Sequence, residues 1–123
     1  MRLVARNVDS GTVVATRVRV ATRRVERAVG LLTRSGLDPG EALLITPCRG
    51  VHTCGMRFPI DVLALDESGV VVDAVPALRP WRIRLPRRGA VSVLELAAGA
   101  LSQSNTAPGH RIEMQLTPAW EGQ

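Results

Sequence analysis

The sequence predicts a mainly β domain leaning to α+β: an antiparallel β-sandwich or barrel-like fold of about seven strands, with one amphipathic helix packed on it. Two observations point there. Short apolar or alternating runs recur between Gly, Pro and Asp turn signals, and one segment alone carries a helical period. The apolar fraction is 46% of 123 residues, enough for one core, so one domain over 1–123 is expected, its core roughly 13–116.

Residues 2–8 read as a first strand, closed by the turn Asp9-Ser10-Gly11. Residues 12–20 read as its hairpin partner, with Val14, Thr16, Val18 and Val20 on one face and Arg17 and Arg19 on the other. Thr22 is a suitable N-cap. Behind it Val25, Ala28, Val29 and Leu32 stand at helical spacing, Arg23, Arg24 and Arg27 take the wet side, and Ser35-Gly36 ends the helix. Ala42–Thr46 reads as a buried strand, and Pro47–Gly55 as an irregular loop holding Cys48, His52 and Cys54. Ile60–Leu65 is almost wholly apolar and reads as a central strand. The turn Asp66-Glu67-Ser68-Gly69 returns the chain into Val70–Val75. Pro76–Pro86 reads as irregular, Ala90–Leu96 as a strand, and Ala97–Ser104 as one or two helical turns. After Ala107-Pro108-Gly109 the strand His110–Leu116 should turn Ile112, Met114 and Leu116 inward.

Composition narrows the function classes. No apolar run reaches the roughly 18 to 20 residues of a membrane-spanning helix, and arginines interrupt the N-terminus at once, so no export signal is visible and a cytoplasmic location is expected. No membrane partner is expected on this ground. The formal net charge is +5, and every one of the 16 basic residues counted as Lys+Arg is arginine. That suggests weak affinity for anions. The arginines are scattered, and Phe58, Trp81 and Trp120 are the only aromatics. Stacking platforms for single strands are therefore scarce, and no specific nucleic-acid partner is expected. Two cysteines do not make a disulfide scaffold, and both are expected to be reduced thiols.

The most specific signal is His52-Thr53-Cys54-Gly55-Met56-Arg57-Phe58-Pro59-Ile60-Asp61-Val62: His, then Met followed by a basic residue, then Pro-hydrophobic-Asp leading into a strand. With Glu26–Leu32, Leu78-Arg79-Pro80-Trp81-Arg82, Val93–Gly99 and Pro108-Gly109-His110-Arg111-Ile112, it resembles, block after block, the domain of unknown function 192 family. The resemblance implies a compact β-rich fold with a helix packed on it, and no established activity.

Asp61 shares a strand face with Leu63 and Leu65, so its carboxylate needs partners; Arg57, Arg82 or backbone N–H groups of the loop could supply them. The simplest role is to pin the loop to the sheet. His52, Cys54 and Met56 follow at alternate positions, but their spacing matches no recognised zinc pattern. A Cys54 thiolate with His52 as base would need a lowered pKa. Glu95 is a second candidate buried acid, against Arg79 or Arg82, and Trp81 caps one end of the core. The reading is a non-enzymatic ligand-binding or interaction module. Its site is placed under the His52–Asp61 loop, with His52, Met56, Arg57, Asp61, Trp81, Arg82 and Glu95 as candidate ligand-binding residues and a small molecule or protein as partner. No catalytic residue, metal or cofactor is assigned. The alternatives are a metal-assisted or Cys/His-dependent hydrolase using His52, Cys54 and Asp61, and a structural accessory subunit without a pocket.

Overall fold

A computed structural model describes residues 1–23, 31 and 34–118. The helix read from Val25, Ala28, Val29 and Leu32 falls outside the described residues. The described elements are β1 (Arg2–Asn7), β2 (Thr12–Ala15), β3 (Arg17–Ala21), β4 (Glu41–Ile45), β5 (Val51–His52), β6 (Ile60–Leu65), β7 (Val71–Leu78), β8 (Ile83–Arg84), β9 (Ser92–Ala97), α1 (Ala100–Ser104) and β10 (Ile112–Thr117). The fold is mainly β. Its strands form a three-stranded sheet, β10-β1-β2, a five-stranded sheet, β3-β4-β9-β6-β7, and a two-stranded ribbon, β5-β8.

The five-stranded sheet carries side chains inward on both faces. On one face Ala42, Leu63, Leu65, Leu94 and Leu96 meet Ala5, Val14 and Ala15 of the smaller sheet, together with Leu101 of α1. On the other, Leu43, Ile45, Ile60, Val62 and Val93 pack against Leu31 and Met56, flanked by Val51, Phe58 and Leu37. A strand between two cores must be apolar at every position, not at alternate ones. All six residues of β6 are accordingly buried, and five of them are apolar, Asp61 being the exception.

The expected strand over 12–20 is two strands in two sheets. β2 pairs antiparallel with β1, but β3 runs parallel to β4. Between them the amides of Thr16 and Arg17 both donate to the Gly40 carbonyl, each at 3.0 Å. This shared acceptor turns the chain out of one sheet and into the other. The fold is therefore not wholly antiparallel, and the single face expected for Val14, Thr16, Val18 and Val20 is broken: Val14 and Val18 are buried while Val20 is exposed. Two further expectations change. Part of 76–86 is ordered as strand, in the end of β7 and in β8. Leu116 lies near the end of β10 and is exposed, although Ile112 is buried as expected.

Turn chemistry closes the fold. Asn7 is fully buried; its Oδ1 accepts from the amides of Asp9 and Ser10, each at 3.0 Å, and its Nδ2 donates to Thr106 Oγ1 at 3.0 Å. It also meets His110 Nδ1 at 3.1 Å, so one buried amide joins the first hairpin turn to the closing turn. The turn after β6 is held by Asp66 Oδ1, which accepts from Ser68 and Val70 at 2.9 Å each.

Candidate functional site

Thr53 organises the loop between β5 and β6. It is fully buried. Its N–H donates to the Arg82 carbonyl at 2.8 Å, and its own carbonyl accepts from Met56 at 3.1 Å and Trp81 at 3.0 Å. Its hydroxyl donates to the Arg79 carbonyl at 2.5 Å and accepts from the Arg82 amide at 2.9 Å. One threonine thus fastens the 79–82 turn to the loop. Within that turn Trp81 has a φ of 62°, a left-handed conformation that a bulky residue rarely adopts. Its ring is mostly exposed, so Trp81 does not cap the core as expected.

The other half of the ribbon is fixed by close approach and by charge. A Cβ on Gly50 would stand 2.8 Å from both the Arg84 carbonyl and the Pro86 nitrogen, so only glycine lets the two segments approach this closely. Arg84 pairs bidentately with Asp73 at 2.8 and 2.9 Å. Arg87 adds a 3.4 Å contact to the same carboxylate. The Arg84 hydrogen bond holds the Asp73 carboxyl below its ordinary value, against the opposing effect of burial. Above β5 and β8 lies an open concavity of about 700 Å³, lined by Arg49, Gly50, Val51, His52, Cys54, Ile83, Arg84 and Pro86.

Under the loop Met56 and Thr53 are buried, and Phe58 packs against the second core. Of the seven sequence candidates, His52 lines the outer concavity. Arg57, Trp81 and Arg82 are exposed around this end of the molecule, whereas Met56, Asp61 and Glu95 are buried. Asp61 turns toward the other core. Its Oδ1 accepts from the Ala77 amide at 2.8 Å, and its Oδ2 accepts from Gly99 at 3.1 Å and Leu101 at 2.9 Å. Its partners are backbone amides of β7 and of the α1 entry, not Arg57, Arg82 or the loop. Asp61 therefore ties three elements together and is not joined to His52 and Cys54. Among the described residues no group of three or more His, Cys, Asp or Glu side chains is arranged to hold a metal. Cys48 and Cys54 are not joined to each other by a disulfide, and Cys48 Sγ donates to the Gly50 carbonyl at 2.9 Å.

Glu95 lies on the loop-side face of the sheet, in register with Leu43 on β4 and Val62 on β6. It makes no ion pair with Arg79 or Arg82. Burial among apolar neighbours raises its pKa from 4.5 to about 7.

The DUF192 family model, Uncharacterized ACR, matches residues 5–114. The chain belongs to this family. An UPF0127 protein of Pyrococcus abyssi is 35% identical to it over 103 residues, covering 79% of this chain and 85% of that protein. One of Pyrococcus furiosus is 32% identical over 113 residues, covering 87% and 94%. A crystal structure of a Novosphingobium aromaticivorans protein of unknown function superposes with a TM-score of 0.76 at 23% identity, over 90% of this chain and 82% of that one. At that identity the likeness shows the fold alone.

In this DUF192 chain the sequence signature is thus divided by the sheet. Its first half gives His52 and Cys54 to the lining of the concavity and Met56 to the second core, and Asp61 serves the opposite core. Thr53 was missed as a site residue because its partners lie 26 to 29 positions away. The signal available was a threonine inside the signature, flanked by His52 and Cys54, which a search for titratable groups passes over.

Proposed function

We propose that the chain is a non-catalytic binding module whose site is the outer surface of the β5-β8 ribbon. The observation that supports this best is the concavity: its lining combines the apolar Val51, Ile83 and Pro86 with Arg49, His52 and Arg84. Apolar lining with a few polar groups is the usual make-up of a ligand site. Beside it Trp81, Ile83 and Leu85 are large apolar side chains left in water, and a contiguous patch of that kind on a folded domain marks a binding surface. Met56, Asp61 and Glu95 contribute from beneath, by packing and by fixing the scaffold. The ligand expected here has an apolar body and an anionic group.

Anilinonaphthalene sulfonate has both features and reports its own burial by fluorescence. The native protein should bind it saturably at neutral pH. Ile83→Asp should abolish the enhancement while leaving the circular dichroism spectrum and Tm unchanged, and Leu116→Asp, at an exposed apolar residue of β10, should leave it intact. Absence of saturable binding, or binding indifferent to Ile83→Asp, would refute the proposal.

A further inference from the structure

We propose that the partner of this surface is an anionic lipid bilayer, on which the β5-β8 end of the molecule docks; this rests on the binding-surface reading above. The first observation is the apolar content of one short segment. Trp81, Ile83 and Leu85, at alternate positions, are 68%, 69% and 72% exposed. Of the two intervening arginines, Arg84 is paired with Asp73 and Arg82 is exposed, so this segment presents its apolar side chains to water beside one guanidinium. Exposing three such groups is unfavourable unless something apolar receives them.

The second observation is charge. The segments 47–59 and 76–90, stapled together through Thr53, contain no Asp or Glu. They carry Arg49, Arg57, Arg79, Arg82 and Arg88, all exposed, and none of these forms an ion pair among the described residues. A receiving surface must therefore be negative at its rim and apolar beneath. The interface of an anionic leaflet has that layering: phosphates accept the guanidinium groups, tryptophan sits at headgroup level, and aliphatic side chains reach the acyl boundary. A second copy of this chain would bring a like-charged face and repel.

The third observation is presentation. Trp81 is held in its left-handed conformation by donating its amide to Thr53, so the ring projects from a fastened turn. No helix among the described residues is long and apolar enough to cross a membrane. Surface docking needs none.

The test is co-sedimentation of the full chain with phosphatidylcholine vesicles, with and without about 30 mol% phosphatidylglycerol. Binding is expected only with the anionic lipid, and should weaken as salt rises from about 0.1 to about 0.5 M. Reversing Arg79 and Arg88 to Glu should lower partition by at least about 25-fold, since each arginine near such a leaflet is worth about fivefold. Ile83→Asp should lower it by about tenfold or more, and Leu116→Asp should not change it. No binding to anionic vesicles, equal binding to neutral ones, or binding insensitive to Ile83→Asp would each overturn the proposal. So would retention of polyglutamate or duplex DNA in place of vesicles. If dye binding survives while vesicle binding fails, the binding site stands and the bilayer does not.

Discussion

Replacing Glu95 by Gln should stabilise the protein in a strongly pH-dependent way. Glu95 lies between Leu43 and Val62 in the sheet, is almost fully buried, and has a carboxyl raised from 4.5 to about 7 by burial. In the unfolded chain it returns to its ordinary value, so between these two pH values the native state binds the extra proton. Stability from this group is complete below about pH 4.5 and is lost as pH rises through about 7. Each pKa unit is worth about 1.4 kcal/mol, so ionising Glu95 in place costs about 3 kcal/mol. Glutamine keeps the shape and removes the ionisation. The Tm values of wild type and Glu95→Gln should nearly coincide at about pH 4 and differ by roughly 10 °C at about pH 8.5. Titrations of other groups cancel in the difference between the two proteins. A Tm difference that stays constant with pH, or one that appears fully by about pH 5, would refute the reasoning.

Asp61→Ala should cost about 3 to 5 kcal/mol, because three amides that now share a buried carboxylate lose their acceptor. Asp66→Ala, whose carboxylate also accepts two amides but is part-exposed, should cost about 1 kcal/mol; equal urea midpoints for the two would contradict this. Gly50→Ala should lower the Tm and expose Cys54 to a thiol reagent faster, since the new Cβ meets backbone at 2.8 Å; an unchanged Tm would show that the ribbon can open at no cost. Asp73→Asn should lower the Tm at neutral pH. The carboxyl pKa is held below 3.8 chiefly by Arg84, so its stabilisation is present above that pH and lost as pH falls through its depressed value. The deficit of the variant should therefore shrink in strong acid, and a deficit that persists there would contradict the pairing.

The legible part of this protein is the part written in local patterns. The apolar content of β6 announced a strand with both faces covered, because a half-exposed alternating strand does not carry four apolar residues in succession, Val62 to Leu65, with Ile60 before them. Asp66 with Gly69 announced the following turn, through a side chain that accepts from amides two and four residues on. The signature around Met56 and Asp61 was enough to name the family. A carboxylate on the core face of β6 had to be satisfied by something, and that followed from the cost of burying it.

Which groups satisfy it was decided by the tertiary structure. Ala77, Gly99 and Leu101 are 16 to 40 positions away, and no local rule selects them over Arg57 or Arg82. The same holds for the division of 12–20, which depends on the distant carbonyl of Gly40, and for the parallel pairing of β3 with β4. The placing of the loop residues depends on distant contacts too. Sequence placed His52 and Met56 on one side of a loop, but Thr53 fastens that loop to the 79–82 turn and sends Met56 into the second core, leaving His52 at the concavity with Ile83 and Arg84. Strand periodicity states whether a residue faces in or out; sheet order states what it faces, and that order is a balance among contacts between segments far apart in the chain.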